Sequence, residues 1–200
     1  MQENRCYKTI IDRIRRTLSS RRREEIPSGP VPAAVLVPLY VKNRELYLLF
    51  TKRSEDLNHH AGEISFPGGV CNPEEHSSDA ALRETWEEIG IDPARIEILG
   101  ALDDVYSIHN YKVSPYIGFI SEKPVLKLNR LEIDKIIEVP ISHLLDPSCF
   151  RIEEWGWKGR NYPVYFYSYH DDEIWGMTAE IVMNFLDVAF KRGPEGSQCR

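Results

Sequence analysis

The run Arg83-Glu84-Thr85-Trp86-Glu87-Glu88-Ile89-Gly90 places three carboxylates within five residues. On a helix of about 3.6 residues per turn, Glu84, Glu87 and Glu88 share one face, while Leu82, Thr85, Trp86 and Ile89 point elsewhere. A solvated acidic surface would explain such a cluster, but three details weigh against it. Glu84 and Glu88 are like charges at i,i+4, which costs a helix about 0.2–0.5 kcal/mol. Asp92 lies four residues beyond Glu88, so no cation answers that end. The carboxylates also occupy the last turns, where the helix dipole disfavours anions by about 0.3–1 kcal/mol each. Arg83 is the neighbouring cation and can pair well with one of them at a time. Two carboxylates ~4 Å apart repel by about 4 kcal/mol at an effective dielectric of about 20. A divalent cation reverses that sign, and hard oxygen donors select Mg²⁺ or Mn²⁺ over zinc. Pro67-Gly68-Gly69 adds a turn free of side chains shortly before the helix. Such a turn can aim a backbone carbonyl at a cation or admit a phosphate closely.

The elements that must position these residues are legible in outline. Residues 33–41 and 46–51 are short and apolar, and the polar turn Lys42-Asn43-Arg44 between them predicts a hairpin of buried strands. Residues 57–69 read as loop. A helix follows over about 78–89, ended by Gly90 in the C-cap position. Further strands are predicted over 96–105, 113–121, 136–139 and 164–169, and a last helix over 178–190 carries Ile181, Phe185 and Val188 on one stripe. Strands followed by helices without a βαβ repeat predict a mixed sheet between helices. Ahead of this unit, Tyr7, Ile10, Ile11, Ile14 and Leu18 form an apolar stripe, with Arg13, Arg15, Arg16, Arg21, Arg22 and Arg23 on the far side and end. The stripe predicts a helix packed on the domain with a solvated basic face; contact with a phosphate-rich ligand or a partner subunit is the alternative. The expected organisation is a basic amphipathic helix and linker over 1–30, a principal domain over 31–190 and a polar tail over 191–200.

Composition narrows the class. The chain has 200 residues, 42% of them hydrophobic and 28% charged, which suits one globular domain and argues against disorder or a coiled coil. With 25 basic and 31 acidic residues the net charge is −6, the wrong sign for a protein that coats nucleic acid. No apolar run reaches the ~20 residues of a membrane helix. Cys6, Cys71, Cys149 and Cys199 are scattered, as for reduced thiols in the cytoplasm.

Gly69, Glu75 after five intervening residues and, after seven more, the run from Arg83 to Ile91 together resemble the nudix box, departing at Thr85, where that family has an aliphatic residue. The resemblance implies an α/β/α sandwich around a mixed sheet, with the box as loop-helix-loop. It implies hydrolysis of a nucleoside diphosphate linked to another group, with Mg²⁺ or Mn²⁺. By position, Glu84 and Glu88 would be the principal metal ligands, with Glu87 assisting and the Gly68 carbonyl nearby. Arg83 would hold the glutamates, working through Glu75. Leu49-Phe50-Thr51-Lys52-Arg53-Ser54, Gly62 to Gly69 and Ile174-Trp175-Gly176-Met177-Thr178-Ala179 are similar to the coenzyme A pyrophosphatases, so the resemblance spans about 33–190. This chain has Asn58 where that signature carries arginine, which would weaken a contact with the 3′-phosphate of coenzyme A.

Attack at phosphorus needs charge neutralisation, an oriented water and a base. Glu87 and Glu132 are the two candidates for the base, the second in a polar loop where a glutamate is ordinarily solvated. Lys52 and Arg53 are candidates for the diphosphate, with a salt-bridged surface role as the alternative. Asn58 and His60, with His59, fall in a loop that the resemblance would set beside phosphate, although loop histidines are more often structural. Trp155, Trp157, Tyr162, Tyr165, Phe166, Tyr167 and Tyr169 could stack an adenine, and their spacing of two assigns half of them to a core. The expected activity is cleavage of coenzyme A or acyl-coenzyme A. Alternatives are ADP-ribose, a dinucleotide or a nucleoside triphosphate, or a non-catalytic nucleotide-binding module. The expected partner is a nucleotide-type small molecule, with no nucleic acid or membrane, and a homodimer stays open.

Overall fold

The hairpin predicted around Lys42-Asn43-Arg44 is present in the computed structural model, which describes residues 4–27, 30–55, 61–107, 109–157 and 159–190. Strands β1 (Val31–Lys42) and β2 (Glu45–Arg53) pair antiparallel, Tyr40 opposite Tyr47. Asn43 and Arg44 take φ of 51° and 66°, the double left-handed turn whose twist suits a two-residue hairpin. β1 is central. It pairs in parallel with β7 (Tyr111–Ile120) over ten residues, and antiparallel with the short β4 (Gly68–Val70). The sheet is completed by β3 (Ile64–Ser65) beside β2, β5 (Ile96–Ala101) and β6 (Val105–Tyr106) beside β7, and β8 (Ile133–Pro140) beside β2. Because β1 is covered on both faces, it reads as a continuous apolar run rather than an alternating one.

On one face lies α2 (Ser77–Ile89), packed through Ala80, Ala81 and Ile89 on Ala34, Leu36 and Tyr40. On the other lie α1 (Asn4–Ser20) and α4 (Gly176–Phe190), with Ile11, Ile14 and Leu18 in the same core as Phe185 and Leu186. A single turn of helix, α3 (Ile141–Leu144), follows β8. A separate three-stranded sheet, β9 (Phe150–Trp157), β10 (Arg160–Tyr169) and β11 (Asp172–Trp175), also packs on this side through Tyr167 and Ile174. Mixed sheet and covering helices match the expected sandwich.

The structure corrects the reading in several places. The stretch 57–69, which reads as loop, carries β3 and reaches β4, and β9, β11 and α3 have no counterpart among the expected elements. The basic face of α1 is exposed at Arg13 and Arg16, as is Arg22 beyond its end, but two arginines there are not left to solvent: Arg21 pairs with Asp103, and Arg23 with Asp104. The chain just after them is pinned as well, the Glu24 N–H donating to Asp103 at 2.7 Å and the Ile26 N–H to Asp104 at 3.0 Å. Among the described residues no helix is long and apolar enough to cross a membrane.

Candidate active site

Helix α2 is seated so that Ala81, Thr85, Glu88 and Ile89 face inward, and Glu88 is only 4% exposed. Thr85, the position where an aliphatic residue was expected, satisfies its hydroxyl within the helix by donating to the Ala81 carbonyl at 2.6 Å. Gly90 ends the helix at φ 74°, its N–H donating to the Trp86 carbonyl at 3.0 Å. The next free carbonyls are capped by the loop before β8. Lys127 N–H donates to Ile89 at 2.9 Å and Asn129 N–H to Glu88 at 2.8 Å. A Cβ on Gly90 would sit 3.0 Å from the Lys127 carbonyl oxygen, so glycine is required there for two reasons.

Burial pushes the Glu88 carboxyl up to about 8, and the nearby Glu84 and Glu132 charges add to this, against Arg53 and a hydrogen bond from the Gly68 backbone. One of its oxygens, Oε2, is buried without a hydrogen-bond partner. Glu84 lies beside Gly69, where an added Cβ would come within 2.6 Å of the carboxylate. Arg83 donates to Glu84 at 2.7 Å, to Glu75 at 2.9 and 3.1 Å, and to Glu87 at 3.2 Å. The expectation that it serves one carboxylate at a time is thus corrected: a planar guanidinium offers five donors and divides them. Arg83 also holds the Glu75 carboxyl down to about 2, with help from Asn72.

The predicted residues sort into an inner and an outer set. Glu84, Glu88, Arg53 and the Gly68 backbone converge, with Glu132 close enough to act on Glu88 electrostatically. Glu87 is outer, its side chain 54% exposed and tied to Arg83. Lys52 and Arg53 part company because successive strand residues face opposite sides. Arg53 turns to Glu88 with its Nε buried and unpartnered, whereas Lys52 lies 3.7 Å from Asp172, which also binds Lys135 at 2.9 Å. Asn58, His59 and His60 lie outside the described residues. In the aromatic stretch Phe166 and Tyr167 are buried, while Trp155, Tyr162 and Trp175 are exposed at the edges of the small sheet. Sequence reasoning missed Asn129, whose side chain donates to Glu132 at 2.9 Å; the pattern Asn129-x-x-Glu132 offered the only signal. A cavity of about 920 Å³ beyond α2, lined by Asp92, Arg95 and Glu122, and one of about 580 Å³ lined by Cys71, Glu75 and Lys112 do not include Glu84 or Glu88.

Comparison with known proteins bears on the family and the fold. The NUDIX domain family model matches residues 30–139. The Nudix hydrolase NudL of Photorhabdus laumondii is 40% identical over 151 residues, covering 75% of this chain and 80% of the relative. Nudix hydrolase 22, chloroplastic, of Arabidopsis thaliana is 34% identical over 175 residues, 82% of this chain and 57% of that protein. The MutT/nudix family protein from Enterococcus faecalis superposes with a TM-score of 0.54 at 20% identity, over 82% of this chain and 64% of that one. RenU, a Nudix hydrolase from M. smegmatis, gives 0.50 at 18%, over 59% and 83%. These two structures bear on the fold alone. The family match over more than half of the chain, and a relative so similar across three quarters of it, establish that the chain belongs to the Nudix hydrolases, which cleave pyrophosphate bonds in nucleoside diphosphate derivatives.

Proposed function

We propose that this chain is a Mg²⁺- or Mn²⁺-dependent diphosphatase acting on coenzyme A or acyl-coenzyme A. The observation that carries the reading is the buried Glu88 carboxylate, with an unpartnered oxygen, set between Glu84, Glu132 and the unpartnered Nε of Arg53. Nudix hydrolases generally use divalent metal ions, and the donors here fit one. Carboxylate oxygens dominate the set, repel one another without a cation, and include one left without a proton donor. Among the described residues no three acidic, histidine or cysteine side chains already form a cage. Glu84 is instead held by Arg83 through Oε1, and its other oxygen would serve the ion.

In this reading Glu84 and Glu88 would hold the cation, which would supply charge neutralisation and lower the pKa of the attacking water. Arg83, anchored on Glu75, keeps Glu84 within reach. Arg53 donates its spare N–H to a phosphate oxygen, a charge-assisted bond. Water oxygen bonds to phosphorus, the bridging P–O bond breaks, and its electron pair leaves with the other phosphate. Glu132 takes the water proton. It is preferred to Glu87 because it is half-buried and electrostatically coupled to Glu88, whereas Glu87 faces solvent. Support for coenzyme A comes from the resemblance over 49–69 and 174–179. The first segment contains Arg53 and Gly68, and β11, which leads into the second, is tied to β2 through Lys52 and Asp172. A cytoplasmic location is in keeping with Cys71 and Cys149, which form no disulfide.

The test is a panel of coenzyme A, ADP-ribose, diadenosine polyphosphate and a nucleoside triphosphate with Mg²⁺ or Mn²⁺, products identified by mass. The reading expects 4′-phosphopantetheine and adenosine 3′,5′-bisphosphate. Hydrolysis confined to the other three compounds overturns the substrate.

A further inference from the structure

Asn129 is bonded in two directions at once. Its backbone N–H donates to the Glu88 carbonyl at 2.8 Å, at the end of α2. Its side-chain Nδ2 donates to Glu132 Oε1 at 2.9 Å. Its Oδ1 accepts from the Leu131 N–H at 3.2 Å, and its carbonyl accepts from Glu132 at 3.0 Å and Ile133 at 2.8 Å. The far end of this turn is fixed too, since the Ser54 N–H donates to the Glu132 carbonyl at 2.8 Å, one residue from Arg53. The backbone of Glu132 is therefore registered against both the acidic helix and the end of β2. Its carboxylate still has three side-chain torsions, and a hydrogen bond to the amide selects among them. Proton transfer needs donor and acceptor about 2.6–3.2 Å apart, so that selection matters to a base.

We propose that Asn129 is a positioning residue: its side-chain amide aims the Glu132 carboxylate at the attacking water, and its backbone ties that aim to the helix carrying Glu84 and Glu88. The proposal rests on reading Glu132 as the base, and the experiment separates the two. Asn129→Asp is the informative change. The isosteric carboxylate keeps the acceptor for Leu131, so the turn is retained, and the backbone bond to Glu88 is untouched. What is lost is the donor to Glu132, now replaced by a like charge. Asn129→Ala removes the turn contact as well.

Wild type, Asn129→Asp, Asn129→Ala and Glu132→Gln are assayed with coenzyme A and with ADP-ribose in Mn²⁺, and the first two proteins are crystallised. The expectation for Asn129→Asp is a fall in kcat of about tenfold to a hundredfold, the size of a misplaced catalytic group, with KM and melting temperature near wild type. Its crystal structure should show the Glu132 carboxylate turned away over an unchanged backbone at 127–133. If Glu132→Gln keeps full activity, Glu132 is not the base and the reading beneath the proposal fails. If Glu132→Gln is inactive while Asn129→Asp works normally and Asn129→Ala does not, the turn alone matters and the proposal is overturned. A Glu132 carboxylate that stays in place in Asn129→Asp overturns it without reference to turnover.

Discussion

Replacing Glu88 by glutamine should make the metal-free protein more stable, by an amount that grows with pH. The wild-type carboxyl has its proton affinity raised from the ordinary 4.5 to about 8, chiefly by burial. Glu84 and Glu132 push in the same direction, and Arg53 and the Gly68 backbone against it. Between these two values the unfolded chain has released the proton and the folded chain retains it, so stability falls as pH rises. The slope for one proton is about 1.4 kcal/mol per pH unit. From pH 4.5 to pH 7 the loss is about 3 kcal/mol, and above pH 8 it levels off at about 5 kcal/mol. Glutamine is neutral throughout and keeps the volume and the acceptor for the Gly68 N–H, so it resembles protonated Glu88. Urea unfolding in the presence of chelator at pH 5, 7 and 8.5 checks this. The two proteins should be nearly equal at pH 5, with the variant ahead at pH 7 and further ahead at pH 8.5. No advantage at pH 7, or the same advantage at every pH, would refute the burial argument. The variant should lose turnover at the same time, because the oxygen removed is one of the proposed metal ligands.

Glu84→Gln should also abolish hydrolysis, and Mg²⁺ should raise its melting temperature less than that of wild type, by linkage; equal shifts would place the cation elsewhere. Gly69→Ala brings a methyl group within 2.6 Å of the Glu84 carboxylate, the movable end of a side chain. The fold should therefore survive with a near-normal melting temperature while turnover falls at least about tenfold, and an active Gly69→Ala would mean that Glu84 need not stay there. Arg23→Met strands Asp104, whose side chain is 1% exposed. Ser114 at 2.8 Å and the Ile26 N–H remain to it, but no cation, so denaturant unfolding should show a loss of about 3–5 kcal/mol. A loss under about 1 kcal/mol would rank this pair with surface ion pairs.

The acidic helix was legible almost to the residue because its signals are local. Gly90 stops it, the periodicity starts one residue from the observed Ser77, and repulsion within one face marks the chemistry. The strands of the central sheet were legible where burial on both faces gives an apolar run, as in β1. β9 was not, because Glu153, Glu154 and Gly156 interrupt its pattern, and β11 is four residues long. β3 and β4 owe their conformation to pairing with β2 and β1 rather than to their own residues. Charge partners distant in sequence were equally hidden. Arg21 and Asp103 are 82 residues apart, and nothing near either one announces the other. The distinction between Lys52 and Arg53 needed the strand's facing, and Glu132 needed Asn129, before either could be assigned a side.

The NUDIX family model matches from residue 30, but the core that closes the sheet takes in residues before it. Ile11, Ile14 and Leu18 fill the same interior as α4, and the segment after them is fastened by its own backbone to Asp103 and Asp104. The family match and the packed core therefore have different borders in this chain. A fragment cut at the border of the family would leave an uncovered apolar face on one side of the sheet and a buried aspartate without its cation. The N-terminal helix is in that sense a cover for the sheet, held in cis, and Arg21 and Arg23, two of the arginines that suggested an external anion, are its fasteners.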